Sequence, residues 1–296
     1  MLKKVRGAYL VEAILLNLLN GISYGMVLFL IASGMSIVMG IMGITNLAHG
    51  ALYMVGAYVG WTIAVQYDLS FWLAALLGGL GAGLVGFLIE RGFLRHLYKQ
   101  PNEQVLLTFG FVYVLTNLCI WVWGGRFRTQ FTDPALAGFV NFAGLSYPAA
   151  RVEIILIGLV LAAGLWWLQE KTRIGAIVRA GMDDKEMTMG LGINLERVAM
   201  LVFFLASFIA GFAGVIGAQL LGVNSMMGTD MLLLALIVII VGGVGSIQGA
   251  LFGGILIGVV DALGKAFFPG LAMFTMYLAM IIILLVKPSG LMGREL

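Results

Sequence analysis

Residues 11–66 form one almost uninterrupted apolar block, broken by a single polar cluster, Thr45-Asn46-Leu47-Ala48-His49-Gly50. A second block, 231–264, is broken by Gly242-Gly243-Val244-Gly245-Ser246-Ile247-Gln248-Gly249. Runs this long do not suit a water-soluble domain, which leaves much of its surface in water and needs charge there. Charge is scarce along the whole chain. Only 10% of the 296 residues are charged and 61% are hydrophobic, where a soluble domain has about a quarter and roughly a half. The mean hydropathy is +1.07. Disorder, a disulfide scaffold and a soluble enzyme are excluded, and the chain reads as an all-α polytopic membrane protein.

Five further stretches, 72–89, 105–123, 152–169, 198–221 and 271–286, are each long enough to cross about 30 Å of hydrocarbon. The two interrupted blocks hold either full crossings or broken, re-entrant half-helices. Eight to ten membrane segments are therefore expected, in a single transmembrane domain over 1–296. The opening Lys3-Lys4-Val5-Arg6 leads into an apolar stretch that outruns a cleavable signal region, so an uncleaved first span is expected. Basic residues set the orientation. If the N-terminus, 91–104, 170–197 and the C-terminal tail share the cytoplasmic side, that side holds 13 of the 17 Lys and Arg. An even number of crossings with both termini cytoplasmic follows.

The chain carries 42 glycines, costly in soluble helices but useful in membranes, where small residues let backbones approach. Gly21/Gly25, Gly56/Gly60, Gly79/Gly83, Gly245/Gly249/Gly253 and Gly254/Gly258 each line one helix face. The two breaks also resemble each other: Gly50-Ala51-Leu52-Tyr53 follows His49, and Gly249-Ala250-Leu251-Phe252 follows Gln248. Discontinuous helices in repeated segments place polar backbone at transporter substrate sites. Asn46, His49 and Gly50 in the first break, with Gly243, Gly245 and Gln248 in the second, are accordingly the candidate path residues. A purely structural role stays open: Asn46 as a helix cap, His49 as a hydrogen bond to a neighbouring helix. The lone Cys119 forbids an intrachain disulfide or a cysteine metal site. No metal, cofactor or nucleic-acid site is expected.

The stretch from Asn20 to Tyr58, with its Asn46-Leu47-Ala48-His49-Gly50 and Gly56-Ala57-Tyr58, resembles the N-terminal signature of permease subunits of branched-chain amino-acid ABC transporters, of the H-like type. Glu90-Arg91, Leu106-Leu107-Thr108-Phe109-Gly110, Leu191-Gly192-Ile193-Asn194 and the Gly242–Gly254 segment extend the resemblance over essentially the whole chain. It implies an inner-membrane importer in which this chain pairs with a second, related permease, two cytoplasmic ATPases and a periplasmic binding protein. The sequence agrees on one point independently. It contains no G-x-x-x-x-G-K-[ST] nucleotide loop, so ATP hydrolysis belongs to a partner.

Residues 170–197 form the largest cytoplasmic loop. Ile177, Ala180, Met187 and Leu191 fall near helical spacing, predicting one short amphipathic helix stopped by Gly190 and Gly192. The resemblance makes this the segment that docks on the ATPase, with Ala180, Asp183, Met187, Gly190, Gly192 and Ile193 as candidate coupling residues. Glu12, Glu90 and Glu153 sit at span ends, where snorkelling is the simpler reading, and Asp261 and Lys265 are spaced to pair on one helix. With so few intramembrane charges, an ion-coupled secondary transporter lacks an ion sensor. A channel would not explain the amphipathic loop. Leucine, isoleucine and valine lead as substrates; urea, short amides and other amino acids remain alternatives.

Overall fold

The computed structural model describes residues 2–43, 45–98, 100–142 and 145–293. In hydrocarbon a backbone must satisfy its own N–H and C=O groups, which is why the apolar runs become helices. In chain order these are α1 (Leu2–Met42), α2 (His49–Trp61), α3 (Phe71–Gly92), α4 (Pro101–Trp123), α5 (Ala149–Lys171), α6 (Arg173–Asp183), α7 (Lys185–Gly190), α8 (Leu195–Leu221), α9 (Met227–Gly242), α10 (Ile247–Phe267) and α11 (Ala272–Val286). A short hairpin, β1 (Phe139–Phe142) and β2 (Leu145–Pro148), pairs antiparallel between α4 and α5, with Phe139 opposite Pro148.

Among the described residues, seven segments are long and apolar enough to cross a membrane: Glu12–Gly40 within α1, then α3, α4, α5, α8, α10, and α11 with the turn before it. The 16-residue α9 is a shorter apolar helix, and α2 is prolonged by a π-turn, Thr62–Gln66. This is the expected all-α membrane architecture. Each interrupted block resolves into two helices.

Helix contacts define two faces. Arg151 at the start of α5 donates a 2.5 Å hydrogen bond to Asn20 Oδ1 of α1, and Gly158 lies against Met26. Further along, Ile37 shares a cavity wall with Leu168 and Gln169. The two helices therefore run parallel, from the hairpin face to the face carrying α6 and α7, called here the loop face. Gly21 packs on Gly258 and Gly25 on Gly254, so α10 runs the opposite way. The C-terminal Pro288, Ser289 and Met292 lie beside Glu170 and Arg179 on the loop face. Asn20 of α1 thus lies toward the hairpin face and the segment Pro288–Met292 at the loop face.

The glycine pairs are packing devices. A Cβ on Gly21 would come within 2.6 Å of Val259 Cα, and one on Gly56 within 2.2 Å of Gly211 Cα. Helix α8 is the centre of the bundle: α2 crosses it at Gly56–Gly211, while α3 lays Gly79 and Gly83 against Phe208 and Phe204. Tertiary packing overrules the snorkelling expectation for two of the three glutamates. Glu90 is buried at the loop-face end of α3, where the Tyr98 hydroxyl donates to its Oε1. Burial, reinforced by that carboxylate, holds the Tyr98 hydroxyl above the usual phenol range, so it remains a donor. Glu153 is only 7% exposed, near Gln219 of α8. Both carboxylates are kept inside because they sit on the inward faces of α3 and α5.

Candidate functional site

The first break lies inside the protein at membrane depth. Gly50 meets Gly228 and Leu232 of α9, some ten to fourteen residues before Gly242, or about 18 Å along that helix at 1.5 Å per residue. Irregular backbone at such depth survives only where protein groups satisfy it, and here they do. The Gly43 amide donates to Met39, the Leu47 amide to Thr108 Oγ1 of α4, the Ala48 amide to Asn46 Oδ1 and the His49 amide to the Asn46 carbonyl. His49 Nε2 lies 3.0 Å from the Ile31 carbonyl of α1. A carbonyl only accepts, so Nε2 carries a proton, and Nδ1 has no hydrogen-bond partner among the described residues. Asn46 and His49 are wholly buried. His49 ties α2 to α1, the structural alternative left open by the sequence, whereas Asn46 braces the turn before α2 rather than capping the helix, whose N-cap is Ala48.

The second break lies elsewhere. Gly243, with φ +104°, and Gly245, with φ +79°, turn the chain from α9 into α10, and Ser246 Oγ caps the new helix by accepting from the Gly249 amide. Gly243 packs against Gly293 of the C-terminal segment. Gly245 and Gln248 line a cavity of about 680 Å³ on the loop face, with Glu170, Arg179, Asp183 and Ser289. The six candidate path residues therefore do not come together. Three are in the interior and three at the loop face.

The segment 170–197 also differs from its expected form. Asp184 is extended, with φ −152°, and its Oδ1 accepts from the Met187 amide, so a new helix begins there. Two short helices replace the single amphipathic one, because an aspartate at this place offers a cap that competes with helix continuation. Helix α6 packs on the bundle through Gly175, Val178 and Gly181. A Cβ on Gly175 would fall 2.1 Å from the Gln169 carbonyl, and Arg179 Nη1 donates to the same carbonyl. Ala180 and Asp183 point outward, and Ile193 is half-buried. Met187 is 70% and Leu191 76% exposed. The helix stop is as expected: Gly190 ends α7, and Gly192 follows with φ +81°.

Sequence reasoning missed Thr108, whose hydroxyl holds the first break from a different helix, and Asp230. Asp230 is exposed in the first turn of α9, just outside the block that begins at 231. Its signal was available in the distance from Gly242. Asp261 and Lys265 pair as expected, at 2.6 Å. Among the described residues no group of three or more His, Cys, Asp or Glu is placed to hold a metal.

Comparison with known proteins places this geometry. A family model described as the permease component of the branched-chain amino acid transport system matches residues 17–286. The chain is 30% identical to the high-affinity branched-chain amino acid transport permease LivH of Salmonella typhimurium, over 94% of this chain and 95% of that one. It is 27% identical to the permease LivM of Escherichia coli, over 90% of this chain and 68% of the other. PsaBC from Streptococcus pneumoniae shares the fold with a TM-score of 0.50 at 13% identity, over 90% of this chain and 89% of that one.

Proposed function

The chain belongs to the branched-chain amino acid transport permease family, and from that premise we propose that it is a permease subunit of an ATP-driven importer that carries leucine, isoleucine and valine delivered by a periplasmic binding protein. The observation that carries the reading is the loop face. Met187, Met189 and Leu191 stand more than half exposed on α7 and the residue that follows it, next to α6, which packs against α5 at Gly175. A large apolar group of this kind marks a protein contact. An ATPase seated there supplies the hydrolysis that this chain, without a nucleotide loop, does not.

A second, related permease completes the pair, in keeping with the similarity to LivM. The loop face is cytoplasmic and the hairpin face periplasmic in a bacterial inner membrane. The basic residues Arg91, Arg95, Lys171, Arg173 and Lys287 at the loop-face helix ends support that orientation. The C-terminal segment is then cytoplasmic and the start of α1 periplasmic.

Proteoliposomes test the proposal. The complete complex accumulates leucine when ATP is supplied, whereas the chain alone neither hydrolyses ATP nor accumulates leucine. Concentrative uptake by the lone chain on a sodium or proton gradient would overturn the reading.

A further inference from the structure

Asp230 is exposed although it lies deep in the bilayer. Gly242 packs on Gly249 at the loop-face end of α9, and Asp230 is twelve residues earlier, about 18 Å into a hydrocarbon layer of about 30 Å. A carboxylate at that depth does not face lipid. It faces another protein surface or a watery path. Among the described residues it forms no salt bridge, and the ammonium of Lys265, which lies over the Tyr24 ring, is held by Asp261.

The surroundings are polar and carry excess negative charge. Tyr24 of α1 lies within electrostatic reach of both Asp230 and Asp261, and Lys265 Nζ sits 5.6 Å from its ring. Asp261 is buried, with Oδ1 left without a hydrogen-bond partner. Thr229, beside Asp230, is exposed on the same turn. This cluster offers two carboxylates and a phenol against one lysine.

A zwitterionic amino acid crossing the bilayer must replace the water around its ammonium group, or lose several kcal/mol. We infer that Asp230, backed by Tyr24 and Asp261, is the subsite that receives the ammonium group of the amino acid in transit. The inference rests on the proposed amino-acid transport and adds the residue that distinguishes an aminated substrate from an uncharged one.

The test uses the complete complex in proteoliposomes, as wild type, Asp230→Asn and Asp230→Glu. The leucine carried per ATP hydrolysed falls about tenfold in Asp230→Asn, the equivalent of one charge-assisted hydrogen bond, and Asp230→Glu recovers most of it. Equal yields per ATP in Asp230→Asn and wild type overturn the inference. A second measurement leaves the carboxylate in place: in a Cys119→Ala background, leucine under turnover slows thiol modification of Thr229→Cys. A modification rate indifferent to leucine overturns the subsite, including where the Asp230 variants do not assemble. A wild-type complex that carries leucine while either arm fails refutes the subsite alone. One that carries urea but no amino acid refutes the functional reading as well.

Discussion

The two breaks look alike in sequence, yet they occupy different environments. Both join a helix that descends to the loop face with one that returns, α1 to α2 and α9 to α10, so the similarity links segments of the same sense. The first connection climbs back into the bilayer and restarts as α2 against the first turns of α9. Each amide named in its turn is satisfied by a side chain or a nearby carbonyl. The second turns at the loop face with two left-handed glycines and opens onto a cavity lined by both polar and apolar side chains. A polar motif inside an apolar run is thus not a measure of depth. Depth depends on where the preceding helix ends and what packs beside the turn.

That contrast can be broken by mutation, most severely at Gly50. A Cβ there would fall 2.0 Å from the Gly228 carbonyl oxygen, a backbone atom that cannot move without displacing α9. Gly50→Val should therefore abolish recovery of folded protein in detergent, read as loss of the monodisperse peak in size-exclusion chromatography. Wild-type yield would mean that α2 and α9 do not touch at this point.

His49→Ala comes next. It removes the tie to Ile31 and leaves a space in the interior, at a cost of about 2–4 kcal/mol. The thermal midpoint of the purified subunit should drop clearly while some folded protein remains. An unchanged midpoint would take His49 out of the bracing role.

The smallest effect belongs to the second break. Gln248 is exposed, so Gln248→Ala should shift stability by less than about 0.5 kcal/mol. In a Cys119→Ala background, Gln248→Cys should react with an impermeant thiol reagent applied at the loop face, while Asn46→Cys should not. Equal labelling of the two would erase the difference in depth.

The spans were legible because a crossing helix needs about 20 apolar residues, a demand that composition alone reveals. The Asn46–Gly50 cluster was legible as an anomaly for the same reason. Its partners were not: Thr108 is 61 residues from Leu47 and Ile31 is 18 from His49, and nothing local links them. Glu90 and Glu153 read as snorkelling side chains because their places at span ends are visible in the sequence, while the face of the helix they occupy is not. The packing face of α6 was not legible for a related reason: spacing identifies an apolar stripe, but the helix seats on the small residues Gly175 and Gly181, which permit a close approach.

By itself, then, the sequence determined a polytopic helical membrane protein, its spans, its lack of a nucleotide loop and its transport family, because long apolar runs and local motifs are properties of the chain read in order. The tertiary structure decided the depth of each break, the burial of Glu90 and Glu153, and the exposure of Asp230 on α9. These depend on which helices lie side by side, and in this protein that choice is made by backbone contacts between glycines far apart in the chain.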